Sequence, residues 1–358
     1  GGFIGQTTKA NELSFIEIKD STNEGTVTGH GGHPYSVSGM IAYAEPDIKI
    51  NNSTNKGEII SIGLTTGGFI GTTIGNVSVS DSNNEGVMSV ANGSASGGTS
   101  GGIIGKAYDG NNYNKASNAT IIIDNCKNTA NLNVGGHTGG MIGLVRASML
   151  KVTNCSIESC EINIEGNYYY CGDASGMVAS AWCDIIIMED CNVKEVNIKS
   201  RGTSAYGATG GMLGAVFGNG DYNSKCEKIT INNCNITDSD FYSRKDVAGI
   251  VGYVQCKNLE IDDCNVTNTE IFNEDNPNGS STNGYSNASG IVAYVSGPAI
   301  SIKKCRVDSS NITSSKDPAA ILGCKSFDGG DDCIIEIVDC NAINTNVWNK
   351  DDLGGTYS

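Results

Sequence analysis

The stretch Gly210 to Phe241 decides the fold. It contains GGMLGAVF (residues 210–217), a polar loop, and then KITINNCNITDSDF (residues 228–241). Related stretches recur about ten times along the 358 residues. A unit of this kind buries its apolar side chains only against its neighbours, so we interpret the chain as an array of stacked repeats.

The first half of each repeat is a glycine-led motif with an apolar pair. The motif recurs at Gly1–Gly5, Ser38–Ala42, Gly67–Gly71, Gly101–Gly105, Gly139–Gly143, Ser175–Ala179, Gly210–Gly214, Ala248–Gly252, Ser289–Ala293 and Ala319–Gly323. The second half carries a small residue at one fixed place. These residues, called the small-residue ladder below, are Ser21, Ser53, Ser82, Cys126, Cys155, Cys191, Cys234, Cys264, Cys305 and Cys340.

The residues around the ladder position predict strands and a turn. Ile229 and Ile231 precede Cys234 at alternate positions, the spacing of a strand with one buried face. Asn233 stands directly before the cysteine, and Asn or Asp tolerates the left-handed backbone of a tight turn. A shorter strand ending near Phe241 follows, so we expect three strands per repeat with the ladder side chain pointing inward.

Stacked strands of this kind form parallel sheets, and parallel crossovers are right-handed in nearly all cases. We therefore predict an all-β fold, a right-handed parallel β-helix (β-solenoid) of about ten three-strand coils with about 35 residues per coil. The repeat shows no linker-like break, so residues 1–358 are predicted to form a single β-helical repeat domain. Because Gly1 lies inside a glycine motif, we expect the chain to be a fragment of a longer extracellular protein.

The repeats resemble the GLUG-motif family, whose core of glycine, apolar residues and glycine is matched here by Gly211, Met212, Leu213 and Gly214. The resemblance covers essentially the whole chain. It implies a β-helical stalk or adhesive region outside the cell, like those of bacterial surface adhesins and the non-catalytic parts of secreted immunoglobulin A metallopeptidases. The cysteines of the ladder depart from that motif.

Charge and hydropathy restrict the partners. The net charge is -16, and nucleic-acid binding needs clustered cations, so we expect no nucleic acid. No apolar run approaches the roughly 18 residues of a membrane span, so we expect none in this piece. The expected partners are a host or neighbouring-cell protein or glycan, or copies of the chain stacked end to end. The expected location is extracellular or at the cell surface.

The chain has fourteen cysteines. It contains no CxxC pair, so a zinc ribbon is not expected. The seven cysteines of the ladder are interpreted as small buried hydrophobes, although neighbours at β-sheet spacing are close enough to be oxidised. The other seven are the possible disulfide cysteines: Cys160, Cys171, Cys183, Cys226, Cys256, Cys324 and Cys333. Three of them, Cys183, Cys226 and Cys256, are predicted to form a second column. Cys160 with Cys171 and Cys324 with Cys333 are the candidate loop-closing pairs.

Metal-binding patterns are weak. His30 and His33, with His137, are interpreted as parts of exposed glycine-rich segments because no further ligand completes a set. The DGGDD stretch offers Asp328, Asp331 and Asp332 as candidate calcium ligands. No other cofactor is predicted.

Insertions between strands supply the candidate binding surface, because loops at equivalent positions of a repeat protein line the same edge. One set lies between the glycine motif and the next strand, at residues 106–119, 218–225 and 324–333; another precedes the motif, with 273–288 the longest. The candidate binding-loop aromatics are Tyr168, Tyr169, Tyr170, Tyr206 and Tyr285. The alternative is that these rings cover the core beneath the loops.

The predicted function is a non-catalytic extracellular structural or adhesive β-helix that presents loops for binding or assembles into a fibre. The alternative is a carbohydrate-active β-helix enzyme, a polysaccharide lyase or hydrolase, which needs paired carboxylates on one face. Asp190, Asp263 and Asp339 form one predicted column, but Asn233 and Lys304 share it, so a turn column explains it better. We therefore predict that the chain is not an enzyme.

Overall fold

The computed structural model describes residues 1–8, 15–29, 36–61, 65–90, 98–108, 117–164, 172–200, 207–220, 224–274, 286–326 and 334–350. Strands dominate these residues, which contain no α-helix. None of the described segments is a helix that could cross a bilayer. The all-β prediction is confirmed.

Sheet I contains the longest strands of the described residues. Its described strands are Ile4–Thr7, Phe15–Lys19, Ile41–Ala44, Asp47–Asn51, Ile70–Thr73, Val77–Ser80, Ile104–Ala107, Thr120–Asp124, Ile142–Thr153, Val178–Glu189, Leu213–Phe217, Cys226–Asn232, Val251–Asp262, Val292–Ser296, Ala299–Lys303, Leu322–Ser326 and Ile334–Val338.

Two further sheets complete each repeat. Sheet II contains Ser36–Ser38, Thr65–Gly67, Ser100–Gly101, Thr138–Gly139, Ala174–Ser175, Thr209–Gly210, Val247–Ala248, Ala288–Ser289 and Pro318–Ala319. Sheet III contains Thr22–Asn23, Val27–Gly29, Thr54–Asn55, Ile59–Ser61, Asn83–Asn84, Met88–Val90, Lys127–Asn128, Leu132–Val134, Ser156–Ile164, Asn192–Ser200, Asn235–Thr237, Asp240–Ser243, Asn265–Thr267, Glu270–Asn273, Arg306–Asp308, Asn311–Ser314, Asn341–Ile343 and Asn346–Asn349.

The strands pair in parallel, and each pairing joins one repeat to the next. Ile229, for example, lies between Ile186 of the preceding repeat and Leu259 of the following one. Like residues therefore stack in columns, and the inward members Ile229 and Ile231 are fully buried. Burying each such side chain contributes about 1.5–3 kcal/mol, which only a stacked repeat can obtain. Repeated parallel strands of this kind are compatible with a β-solenoid.

The structure divides the repeat differently from our prediction. The strand of the glycine motif and the strand after it lie in the same sheet, and in Ile142–Thr153, Val178–Glu189 and Val251–Asp262 they are continuous. The third face is instead sheet II, which contains the first residue of the glycine motif. The chain bends at the next glycine, where backbones of adjacent repeats approach closely; a Cβ at Gly211 would lie 2.1 Å from the Gly249 carbonyl oxygen.

The predicted turn is confirmed. The residue before each ladder position has a positive φ, from 46° at Asn52 to 55° at Asp190 and Asp339. Asn and Asp occupy most of these places because their short polar side chains tolerate the left-handed region. A second left-handed column in sheet III was missed by the sequence analysis: Ser159, Glu195, Asp238, Asn268, Ser309 and Asn344.

Candidate functional site

The small-residue ladder lies at the corner between sheets I and III. Its members from Ser53 to Cys305 are buried, whereas Ser21 and Cys340 at the two ends are partly exposed. The hydroxyl or thiol donates to the carbonyl oxygen two residues earlier, as from Ser82 Oγ to Ser80 (2.7 Å) and from Cys234 Sγ to Asn232 (3.3 Å). These carbonyl oxygens also accept a backbone amide of the preceding repeat, as Asn232 does from Asp190 (3.2 Å), so the ladder side chain adds a second hydrogen bond to each.

No disulfide bond joins any two of the twelve described cysteines. Within the ladder, hydrogen bonds with Cys126 and Cys191, together with burial, raise the pKa of Cys155. The predicted second column is present: Cys183, Cys226 and Cys256 lie in register on neighbouring strands. Cys226 pairs directly with Cys256. Cys183 and Cys226 each stand two residues before a paired residue, since Ile185 pairs with Lys228. Burial raises the pKa of Cys183 and of Cys256 to about 12, which keeps these thiols protonated and unreactive.

The loop-closing disulfide predictions stay predictions. Burial raises the pKa of the Cys160 thiol to about 12, and Cys324 is partly exposed. Their candidate partners, Cys171 and Cys333, lie outside the described residues.

The candidate loop and calcium residues also lie outside the described residues: Tyr168, Tyr169, Tyr170, Tyr206, Tyr285, Asp328, Asp331, Asp332, His30 and His33. His137 is described, and its Nδ1 lies 2.8 Å from Oδ2 of Asp173. Within the described ranges, no group of three or more His, Cys, Asp or Glu side chains is arranged to hold a metal ion.

A row of aromatic and cationic side chains crosses the outer side of sheet I. This outer ladder consists of Lys106, Tyr108, Arg146, Trp182, Phe217, Tyr253 and Tyr294. The Arg146 guanidinium lies 5.0 Å from the centroid of Tyr108 and 4.7 Å from that of Trp182. The rings continue from Trp182 to Phe217 (4.7 Å), then to Tyr253 (5.5 Å) and, stacked within 2° of parallel, to Tyr294 (4.9 Å).

The outer ladder is a second apolar cluster, separate from the core. Trp182, Phe217 and Tyr253 pack together with Ala208 and Ala215, and Trp182 is only 7% exposed although it lies on the side of the sheet that faces away from the core. Each aromatic pair contributes roughly 0.5–1.5 kcal/mol beyond its area, and a desolvated cation–π contact about 2 kcal/mol. The outer ladder therefore ties several repeats together along the outside of the sheet.

Polar contacts at Asn219 connect this surface to the insertions. Asn219 Oδ1 accepts from the Ser117 amide (2.9 Å), and its Nδ2 donates to the Ser117 carbonyl (2.7 Å) and to Asp184 Oδ2 (3.0 Å). Ser117 is near the end of the insertion at 106–119, and Asn219 is near the start of that at 218–225. These bonds join segments 102 residues apart in sequence, so the bases of both insertions are fixed to one place on sheet I.

The signal for the outer ladder was present in the sequence but was not used. Tyr108, Arg146, Trp182 and Phe217 each stand three residues after the last residue of a glycine motif. Because like strands pair in register, residues at the same distance after the glycine motif lie in one column across the sheet. Alternate positions along each strand share a side of the sheet.

A shallow depression on sheet I is lined by Asp124, Lys151, Glu189 and Asp190, among others. It is the arrangement most similar to the carboxylate pair of the enzyme alternative. Hydrogen bonds from Thr153 Oγ1 (2.6 Å) and Asn154 Nδ2 (2.9 Å) to Asp124 lower the pKa of that carboxyl. A carboxylate held ionised in this way is unsuited to act as the proton donor of a glycosidase.

Asp246 is a buried carboxyl at the entrance to sheet II. Its Oδ1 accepts from the backbone amide (3.0 Å) and the side-chain amide (2.8 Å) of Asn287. Burial raises the pKa of Asp246 to about 7, against the opposing effect of these bonds.

We expect this carboxyl to make stability depend on pH. Its pKa is near 7 when folded and near 3.8 when unfolded, so the folded state binds more protons in between. The free energy of unfolding should fall between about pH 4 and pH 7, by up to about 1.4 kcal/mol per pH unit, and then level off. Asp246→Asn should remove this decline in urea titrations across the range, whereas the exposed Asp263→Asn should retain it; a decline unchanged in Asp246→Asn contradicts the assignment.

Comparison of the chain with protein-family models, curated protein sequences and solved structures found no match.

Proposed function

We propose that the chain is a right-handed parallel β-helix of about ten coils that acts outside the cell as a non-catalytic rod presenting loops for binding. The outer ladder is the observation that carries this proposal. It provides a buried, rigid base across consecutive repeats, and Asn219 attaches two insertions to that base. Binding loops are effective when a rigid scaffold holds their ends in place.

Three further features favour this function. The resemblance to GLUG repeats supports an extracellular adhesive region within a longer protein. The net charge of -16 favours a soluble rod whose partner is a protein or a glycan. Thiols protonated through burial, such as Cys183, are compatible with a location outside the cell because they resist oxidation.

Loop replacement tests the proposal. Residues 109–116 and, separately, 275–285 are replaced by glycine–serine segments of equal length, and binding to a glycan array and to epithelial cell monolayers is measured at neutral pH. We expect at least one replacement to weaken binding by about tenfold or more, a loss of about 1.4 kcal/mol, without changing the circular dichroism or the melting temperature. The proposal is contradicted if the parent chain binds neither target, or if both variants bind as tightly as the parent.

The acidic depression keeps the enzyme alternative open to a separate test. Incubation with polygalacturonate and alginate, followed by assays for reducing and unsaturated ends, should give no product above buffer. Product formation that is lost in Glu189→Gln with Asp190→Asn would instead identify a polysaccharide-degrading enzyme.

A further inference from the structure

Two strands of sheet I carry unbroken apolar runs in the middle of the rod. Thr120–Asp124 and Val178–Glu189 each contain three consecutive isoleucines. Other strands of the sheet alternate, as where the exposed Lys49 stands between the buried Ile48 and Ile50. Unbroken apolar runs are typical of parallel strands that are covered on both faces. The core of the rod covers only one face of these two strands.

The outward members of the runs belong to one apolar patch. Ile122 lies beside Lys151, and Lys151 lies beside Ile187. Met149 lies beside Ile185 in the neighbouring column. The four apolar residues, called the sheet I patch below, are Ile122, Met149, Ile185 and Ile187; Ile185 is 40% exposed and the others are partly exposed. A contiguous apolar patch with a polar rim marks an interaction site.

Carboxylates border the sheet I patch on the side of the small-residue ladder. We call this set the acidic edge: Asp124, Glu189 and Asp190. Within the described segments, neither Glu189 nor Lys151 forms an ion pair, whereas Lys228 on the same side of the sheet pairs with Glu260 (2.9 Å). Three carboxylates therefore surround the one ammonium group of Lys151, and the depression that they line has a negative charge.

The sheet I patch lies beside the bases of two insertions. The insertion at 106–119 ends one residue before Thr120–Asp124 begins. Asp184, directly before Ile185, accepts from Asn219 Nδ2 (3.0 Å) at the start of the insertion at 218–225. Trp182 of the outer ladder precedes Ile185 on the same side of one continuous strand. A partner held by these insertions would therefore meet the sheet I patch.

We propose that the sheet I patch and the acidic edge bind a basic polypeptide segment. Its apolar side chains pack on the patch, and its lysine or arginine side chains lie beside the carboxylates. This inference rests on the rod function proposed above and names the partner as a protein.

The chemistry of the surface favours a protein over a glycan. Aliphatic side chains offer dry contact area to other aliphatic side chains, as in the core of a protein interface, whereas the rings of a glycan are bound mainly by aromatic side chains. The sheet I patch contains no aromatic residue. The negative depression and the net charge of -16 are complementary to a basic segment.

Peptide binding tests the proposal. The probe is a fluorescent peptide of alternating leucine and lysine, measured by anisotropy at neutral pH. A serine–lysine peptide keeps its charge and a leucine–glutamate peptide keeps its apolar side chains; both should bind at least tenfold more weakly. Equal binding of the serine–lysine peptide, or no binding of the leucine–lysine peptide, overturns the proposal.

Matched variants locate the binding surface. Ile185→Ser with Ile187→Ser should weaken binding of the leucine–lysine peptide at least tenfold. Val87→Ser with Ile60→Ser is the control, because Val87 is also 40% exposed and Ile60 is also partly exposed, but both belong to the sheet III side of the rod. All these side chains are on the surface, so both variants should keep the melting temperature of the parent. Equal binding by the two variants overturns the proposal.

Charge variants give an independent readout. Glu189→Gln with Asp190→Asn should weaken binding and reduce its dependence on salt, because two carboxylates of the acidic edge are removed. Lys151→Met should strengthen binding, because it removes the cation and enlarges the apolar surface. Opposite signs of these two effects support the acidic edge as part of the site, and equal signs contradict it.

Two measurements separate the other possible occupants. Self-association in sedimentation velocity that is lost in Ile185→Ser with Ile187→Ser would assign the patch to a second copy of the chain. Glycan-array binding lost in the same variant would assign it to a glycan, and either result overturns the proposal. The loop replacements leave these residues unchanged. Weaker cell binding by a loop variant together with no peptide binding by the parent would therefore support the rod's function and contradict only this inference.

Discussion

Replacing Gly211 by alanine is expected to destabilise the stack strongly. The new Cβ would lie 2.1 Å from the carbonyl oxygen of Gly249 and 2.5 Å from Cδ1 of Ile236. That carbonyl accepts the Gly211 amide (2.8 Å), so the two backbones cannot separate without breaking their pairing. We expect a loss of about 3 kcal/mol or more in the free energy of unfolding, measured in urea.

Gly5→Ala is the matched control, because a Cβ at Gly5 has no other atom within 4 Å. It should change stability by less than about 0.5 kcal/mol. The column of Gly211 is glycine in every repeat except the last, where Ala320 has no described repeat beyond it. Equal stabilities of Gly211→Ala and Gly5→Ala would show that the close approach of neighbouring repeats is absent.

Replacing Trp182 by alanine is expected to have the second largest effect. The ring packs between the Arg146 guanidinium (4.7 Å) and Phe217 (4.7 Å), and its removal leaves a cavity and a buried cation that has lost a partner. A cost of about 3–5 kcal/mol is typical for a buried tryptophan. Guanidinium unfolding measures this loss, and Trp182→Phe should recover part of it.

The control for Trp182 is Ile185→Ala in the same strand. Ile185 is 40% exposed, so its truncation should cost much less. If Trp182→Ala were no more destabilising than Ile185→Ala, the outer ladder would not stabilise the rod, and the base proposed for the insertions would lose its support.

The sequence was sufficient for the stacking of the repeats. Alternating residues such as Ile229 and Ile231 predict a buried strand face, and the recurring Asn or Asp before the ladder position predicts the left-handed turn. Both features are local and periodic, which is why they were accessible without coordinates. Parallel pairing followed from the repeat, because like strands bury their apolar columns only against copies of themselves.

Three-dimensional features were beyond this local pattern. The glycine motif and the following strand share one sheet even where an insertion separates them, as between Leu213–Phe217 and Cys226–Asn232, which composition does not reveal. Trp182 and Arg146 alternate with core residues, and their contact depends on pairing between repeats. The buried amides of Asn23, Asn55, Asn84 and Asn128 likewise bond from repeat to repeat, at 2.7–2.8 Å, although each alone resembles a turn residue.

An electron-microscopy density map of the purified chain, at a resolution that shows side chains, tests the central claim most directly. Our account predicts a right-handed rod with three parallel sheets, the ladder thiols in one inward column and the outer ladder on sheet I beneath the insertions. A left-handed rod, or rings of Trp182, Phe217 and Tyr253 that do not stack on one another, would contradict it.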